Sequence, residues 1–319
     1  MLVVFMGTPE FAVPSLEALA GAGHHAVAVV TRPDRPRRHG TAVPEASPVK
    51  VAADRLGLPV LQPETMRDPE FLSDLERAAP EAIVVVAFGL ILPAAVLELP
   101  PRGCVNVHAS LLPRYRGAAP VARAIMAAET ATGVTTMRMD RGLDTGDILL
   151  ARGCAIAPGE TAGELTARLA AEGAGLLIET LAALASGAVA PRPQDHAAAT
   201  WAAALTRADG RIDWSADATA VAGRVLGCNP WPIAEAGLAG ARLQILRGVA
   251  EPAPTLGTPA TPGTVLEASG DRLVVACAPT TRLRVLALRQ PGRREQSARD
   301  AINGRLVRQG DLLTPPPTV

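Results

Sequence analysis

Residues 82–88 read AIVVVAF. Seven apolar residues without polar alternation describe a strand covered on both faces, as found in parallel sheets flanked by helices. The flanks agree. PEFLSDLERAAP (69–80) has a helical period, and CVNVH (104–108) is a second strand-like run. Upstream, LVVFM (2–6) precedes a helical pattern near SLEALAGAG (15–23). AVAVVT (26–31) precedes SPVKVAADRLG (47–57), and a short PVL (59–61) follows. Downstream, PVARAIMAAE (120–129) predicts a helix with Pro120 in its first turn. VTTMRM (134–139) and DILLARGCAI (147–156) predict strands. Residues 161–187 predict a long helix, with Thr161 and Glu164 spaced as a capping box. Strands alternating with helices predict an α/β, Rossmann-like, doubly wound and mostly parallel sheet over residues 1–188.

Residues 189–205 carry prolines and no clear period, and predict a linker. From 206 to 319 the texture changes to short strand-like pieces, RLQILRGVA, GTVLEAS, DRLVVACA and RLRVLALRQ, separated by Gly, Pro and Asp turns. PAPTLGTPATPGT (252–264) reads as a loop. This pattern predicts a small C-terminal β-barrel domain.

The chain of 319 residues is 48% apolar, enough for a sizeable core, yet only 3% aromatic, so aliphatic residues must fill it. Lys50 is the only lysine. Residues 1–6 form an apolar run broken by Gly7-Thr8-Pro9, a strand length and not an export signal. No apolar stretch is expected to reach membrane-spanning length. Cys104, Cys154, Cys228 and Cys277 form no CxxC pair, so free thiols in a cytoplasmic protein are expected, with no metal. Net charge is zero, but residues 205–319 carry 14 Arg against 10 Asp and Glu. The excess positive charge suits a polyanion partner, and equally fits random scatter.

Asn106 and His108 are two apart on a predicted strand, so they share a face opposite Val105 and Val107. Ligands of open parallel sheets bind beyond the carboxyl ends of the strands. FGLILP (88–93) and MDRGLDTGD (139–147) follow two other strands and converge on the same edge if the fold is right. Two donors beside a carboxylate suit acyl transfer through a tetrahedral oxyanion, the carboxylate favouring a protonated His108. On spacing alone the two residues could equally satisfy backbone groups at a strand end. Ser110 lacks a GxSxG elbow, and neither GxGxxG nor a phosphate-binding GxxxxGK[ST] loop is present. Asp140, Asp144 and Asp147 do not follow a calcium-loop pattern. TRPDRPRRHG (31–40) brings Arg32, Arg35, Arg37 and Arg38 together, either as a solvated loop or as a phosphate contact.

VNVHASLLPRYRGAAP (105–120) with GLDTGDIL (142–149) resembles the formyltetrahydrofolate-dependent formyltransferase family. MGTPEFAVPSL, TRPDRP, SPVK, AFGLILP, LTRADGRIDW (205–214), NPWP (229–232) and SARDAINGRLVRQGDLL (297–313) extend the resemblance along essentially the whole chain to the branch acting on methionyl-tRNA. The resemblance implies a formyltransferase domain followed by an OB-like barrel that helps hold tRNA. It implies formyl transfer from 10-formyltetrahydrofolate, as a co-substrate, to the α-amine of initiator methionyl-tRNA by a monomer. Asn106 and His108 would stabilise the oxyanion, and Asp144 would keep His108 protonated and help move the amine's proton. Phe88, Gly89, Leu90, Ile91 and Leu92 would receive the pterin through backbone groups. The segment Ser110 to Gly117, with Ser110, Leu111, Leu112 and Pro113 foremost, would shape the channel between folate and acceptor. Arg32, Arg35, Arg37, Arg38 and His39, with Arg207, would meet the tRNA. The sequence departs from the family's usual PDRPxGRGKK, reading PDRPRRHGTA, and from NPWPGA, with Ile233 for glycine. A nucleotide-sugar amine formyltransferase shares the catalytic core, but a small sugar nucleotide needs no arginine loop. A non-catalytic tRNA-binding protein would not need Asn106, His108 and Asp144 together.

Overall fold

In the computed structural model, residues 1–34, 44–252 and 260–317 are described. They form two compact units. One holds Met1–Gly117, Thr132–Cys154 and Thr166–Trp201; the other holds Ala118–Ala131, Ala155–Leu165 and Ala202–Val319.

The first unit is built on a sheet ordered β3-β2-β1-β4-β5-β6-β7. In chain order its elements are β1 (Leu2–Gly7), α1 (Val13–Gly21), β2 (His25–Val30), α2 (Pro48–Arg55), β3 (Val60–Leu61), α3 (Pro69–Ala78), β4 (Ala82–Val86), α4 (Ala94–Leu97) and β5 (Cys104–His108). After α5 (Pro120–Met126), which groups with the second unit, come β6 (Ala131–Arg138), β7 (Ile148–Ala155) and α6 (Ala162–Ser186). β3, β2, β1, β4 and β5 run parallel, and β6 joins β5 antiparallel. The chain leaves β1 towards β3, then returns to the other side of β1 with β4. That reversal opens a crevice at the carboxyl ends of β1 and β4.

The run at 82–88 is β4 and its exit, and all five strand residues are buried. Alternate residues of the central strands feed two cores. Val3, Phe5, Val84, Val86, Val105 and Val107 pack on one face with Leu177 and Leu181 of α6. Val4, Met6, Ile83, Val85 and Cys104 pack on the other with Phe71 and Leu75 of α3. Each such aliphatic burial stabilises by about 1.5–3 kcal/mol. The doubly wound reading therefore holds.

Helix starts follow the sequence. Ser47 Oγ accepts from Lys50 N at 3.0 Å to cap α2. The expected capping box at α6 is present: Thr161 N donates to Glu164 Oε2 at 2.9 Å and Glu164 N to Thr161 Oγ1 at 3.3 Å. One expectation is corrected. α6 has 25 residues and is apolar enough, by length and composition, to cross a membrane. Half of its most apolar window is buried, and Leu165, Leu169, Leu177 and Leu181 are essentially inaccessible. A stripe of that composition is what a core helix presents to a sheet.

The second unit is a curled antiparallel sheet ordered β10-β11-β12-β9-β8-β14, with β13 on β12. Its elements are α7 (Ala218–Gly227), β8 (Ala234–Leu238), β9 (Ala241–Glu251), β10 (Val265–Ser269), β11 (Arg272–Ala276), β12 (Arg282–Arg289), β13 (Gln296–Ser297), α8 (Ala298–Asn303) and β14 (Leu313–Thr314). A bridge between Thr264 and Leu312 brings the two edge strands together, as in an OB-like half-barrel. Val221 and Val225 of α7 fill its core with Trp214, Leu243, Ile245 and Val285. α5 packs on α7, where Cβ atoms at Gly223 and Gly227 would come within 3 Å of carbonyl oxygens of α5.

The LTRADGRIDW and NPWP motifs meet in this unit. Thr206 and Asp209 form a second capping box, and Arg123 reaches Asp209 Oδ1 at 2.7 Å. A Cβ on Gly210 would lie 2.3 Å from the Ile233 carbonyl, so only glycine fits there. Ile233, where the family pattern has glycine, holds φ +69°.

Candidate functional site

β5 delivers Asn106 and His108 to the face opposite Val105 and Val107, as the two-residue period requires. His108 is 7% exposed. Its Nε2 lies 2.9 Å from the Tyr115 carbonyl oxygen, which fixes that nitrogen as a donor. Its Nδ1 lies 3.7 Å from Asp144 Oδ2. Asn106 Nδ2 donates to the Val85 carbonyl at 3.2 Å, while its buried Oδ1 has no partner among the described residues. One amide hydrogen and the carbonyl oxygen of Asn106 therefore stay uncommitted.

The segment after β5 clamps this pair. Ser110 Oγ donates to Arg114 O at 2.6 Å, and Thr135 Oγ1 donates to Ser110 O at 2.7 Å while accepting from Leu112 N at 3.2 Å. These bonds hold the SLLP turn against β6. Tyr115 takes φ +59° and its N donates to Thr200 Oγ1 at 2.8 Å. Gly117 N donates to Asp144 Oδ2 at 2.8 Å. Asp144 itself has φ +54°, in the left-handed region that aspartate tolerates better than most residues. Thus Asp144, from a separate stretch, comes to the β5 pair Asn106 and His108, 3.7 Å from His108 Nδ1.

The neighbouring loop presents backbone. Phe88 and Leu92 turn their side chains into the core, whereas Gly89 and Ile91 are exposed and Leu90 is half-buried. Ala87 and Gly89 both have positive φ, and a Cβ on Gly89 would meet nothing within 4 Å. Thr8 Oγ1 donates to Phe88 O at 3.1 Å, tying the exits of β1 and β4. Beside this exit lies a cavity of about 420 Å³, lined by Thr8, Pro9, Arg32, Glu45, Ser47 and Phe88 among others. Asn106, His108 and Asp144 are not in its lining.

Arg32 is half-buried at this cavity, on a stem that the single lysine organises. Lys50 Nζ donates to Asp34 Oδ2 at 2.6 Å and Gln62 Oε1 at 2.9 Å, and Gln62 Nε2 donates to Arg32 O at 2.9 Å. The Lys50 bond, and after it the bond from Gln62 Nε2 to Asp34 Oδ1 at 2.7 Å, hold the Asp34 carboxyl below its ordinary range. Arg35, Arg37, Arg38 and His39 lie outside the described residues. Arg207 is exposed on the first position of a 3-10 turn in the other unit.

Gln194 escaped the sequence reading, and Arg116 entered it only as part of the channel segment Ser110 to Gly117, with no role of its own. Arg116 is 3% exposed and Gln194 6% exposed. Gln194 Nε2 donates to the carbonyls of Asp144 at 2.9 Å and Gly146 at 2.7 Å, and its Oε1 accepts from Arg116 Nη2 at 2.6 Å. Residues 189–205, read as connecting chain, thus contain a buried side chain bonded to the site. The Pro-Gln pair in a polar stretch gave no periodicity from which to find it.

The N-terminal part matches the formyl transferase family model over residues 1–181, and the formyl transferase C-terminal domain model matches residues 204–306. A methionyl-tRNA formyltransferase of Heliobacterium modesticaldum is 53% identical over 86% of this chain and 88% of its own length. The methionyl-tRNA formyltransferase of Solibacter usitatus is 47% identical over 98% of each chain. Among solved structures, an N-formyltransferase from Helicobacter canadensis in complex with folinic acid and dTDP-3-aminofucose superposes with a TM-score of 0.65. It is 16% identical and covers 89% of this chain and 98% of that one, a likeness of fold alone. With both of the family's domains present and near-full-length identity of about half to such relatives, the chain belongs to the formyl transferase family, among its methionyl-tRNA formyltransferases.

Proposed function

We propose that this chain transfers the formyl group of 10-formyltetrahydrofolate to the α-amino group of initiator methionyl-tRNA, with Asn106, His108 and Asp144 at the reacting centre. The observation that carries the reading is the clamped His108–Asp144 pair at the carboxyl end of β5. One ring nitrogen is spent on Tyr115, and the other faces the carboxylate.

The chemistry follows from those assignments. The amine nitrogen attacks the formyl carbon, a C–N bond forms, and the carbonyl oxygen becomes an oxyanion. The uncommitted amide hydrogen of Asn106 and, in the imidazolium form, the Nδ1–H of His108 are the donors available for that oxygen. Collapse breaks the bond between the formyl carbon and folate N10. The proton lost by the amine passes through Asp144, directly or by water, to N10. Asn106 Oδ1, without a partner among the described residues, is an acceptor that a substrate N–H can satisfy.

Other assignments extend the reading outward. The Phe88–Leu92 loop offers backbone polar groups to the pterin, in keeping with the inward turn of the Phe88 and Leu92 side chains. Leu111 is the exposed member of the Ser110–Pro113 turn and suits the channel wall; Ser110 acts through the turn it closes. Arg32, Arg35, Arg37, Arg38, His39 and Arg207 supply positive charge and donors for the acceptor end of tRNA. Residues 1–188 would carry the transfer and 206–319 would add tRNA affinity, with 189–205 between them.

The test offers 10-formyltetrahydrofolate with methionyl-tRNA or with a nucleotide-linked amino sugar, and weighs each acceptor by mass spectrometry. Methionyl-tRNA should gain one formyl group and the sugar should not. Formylation of the sugar with no change in the tRNA would overturn the proposal.

A further inference from the structure

Arg116 and Gln194 form a buried strut bonded to neighbours of the reacting pair. Arg116 sits between Tyr115, whose carbonyl receives His108 Nε2, and Gly117, whose N–H binds Asp144 Oδ2. Its backbone N donates to Thr200 O at 2.8 Å. Its Nε and Nη2 donate to Gln194 Oε1 at 3.1 and 2.6 Å, and Nη2 lies 3.1 Å from His196 Nδ1. None of these partners is a carboxylate. A guanidinium buried on such partners is costly for stability alone, where an apolar side chain would pack as well.

The carboxamide explains the expenditure. An uncharged group that accepts on one end and donates twice on the other is what this place requires. Gln194 turns its oxygen to the guanidinium and its nitrogen to the carbonyls of Asp144 and Gly146. The closed circuit runs from Asp144 to Gly117, Arg116, Gln194 and back to Asp144. It fixes the backbone of a residue held at positive φ, and so the direction of its carboxylate. Glutamate would keep the acceptor for Arg116 but set a carboxylate oxygen against two carbonyls.

We propose that Gln194, held by Arg116, is a positioning residue that sets the Asp144 carboxylate against His108 Nδ1. The inference rests on reading His108 and Asp144 as the reacting pair. Neither Gln194 nor Arg116 need touch substrate.

The full-length protein is tested as Gln194→Glu, Gln194→Ala, Asp144→Asn and Asp144→Asn/Gln194→Ala. Both Gln194 variants should lower kcat by ~10²-fold, the scale of a reacting group displaced by about 1 Å, with KM for either substrate changed less than ~3-fold. Gln194→Glu fails with Gln194→Ala only if donation to the Asp144 loop is the function; retained kcat in the Glu variant overturns the proposal. Should the Glu variant not fold, Gln194→Ala carries the same kinetic expectation. Amide hydrogen exchange adds a second readout: the Gly117 N–H should lose protection in Gln194→Ala, and unchanged protection overturns the proposal. In the double variant, Gln194→Ala should cost no more than ~3-fold beyond Asp144→Asn, because the two act as a unit. A multiplicative loss counts against positioning. If Asp144→Asn alone keeps its kcat, the assignment of the reacting pair fails; if it collapses while both Gln194 variants stay active, only the positioning role falls.

Discussion

Two aspartates of this protein have nearly the same burial and opposite bonding. The Asp209 side chain is 18% exposed, and both its oxygens are occupied. Arg123 binds Oδ1 at 2.7 Å, and Thr206 gives its N–H and hydroxyl to Oδ2 at 2.7 and 2.8 Å. The Asp144 side chain is 14% exposed, yet it accepts one backbone N–H on Oδ2, and Oδ1 has no hydrogen bond among the described residues. A structural carboxylate is saturated by donors that also draw it down. Burial pushes the Asp209 carboxyl up, but Arg123 and Thr206 outweigh it and hold the group at about 2. A carboxylate that must exchange protons cannot be saturated in that way.

The sharpest way to break the contrast is to make the same change at both places. Asp144→Asn should lower kcat by ~10²–10⁴-fold, the loss typical of a general acid–base or charge-stabilising group, with little change in thermal midpoint. Asp209→Asn should leave kcat within a few-fold and cost about 1–2 kcal/mol of stability, discounted for the partial exposure of the pair. Steady-state kinetics and thermal melts on both variants decide it. Equal kinetic losses would dissolve the distinction.

Acid titration sharpens the structural half. Glu164 is held at about 2, below its ordinary 4.5, first by Arg247 and then by the Thr161 backbone N–H. Both carboxylates are depressed on folding, so their contribution is fully present above the unfolded values near 4 and is lost as pH falls towards 2. Arg247→Met should therefore lower the thermal midpoint at pH 6 and flatten its fall between pH 4.5 and 2. An unchanged slope would show that the pair contributes nothing.

The smallest expected effect lies at Ile233, a β-branched residue at φ +69°. Ile233→Gly should stabilise by about 1 kcal/mol, because left-handed backbone is costly for a branched side chain. A lower melting midpoint in the variant would count against strain there.

How much of this could be read beforehand differed by type of interaction. Period-two and helical patterns carry burial, so AIVVVAF, the cores on both faces of the sheet and the two-residue spacing of Asn106 and His108 were legible. The capping box at Thr161 and Glu164 was legible because it is local. Gln194 was not, because it bonds carbonyl oxygens 48 and 50 residues away, and main-chain acceptors leave no trace in side-chain chemistry. Arg116 lay within the channel segment, but its burial on Gln194 was not legible, because arginine is seldom fully buried. α7, rich in alanine and glycine, went unread, although Asp217 caps it through Thr219 N and Ala220 N. The grouping of 118–131 with the later chain was equally hidden, since a helix pattern does not say which partner it packs on.

The tethered lysine offers a practical handle. A protease that cleaves only after lysine finds one bond in the whole polypeptide, Lys50–Val51, inside α2. The scissile backbone must leave its helix, and Lys50 must leave Asp34 and Gln62, before cleavage can occur. The yield of a single nick therefore clocks the local opening of that stem under native conditions, without a label.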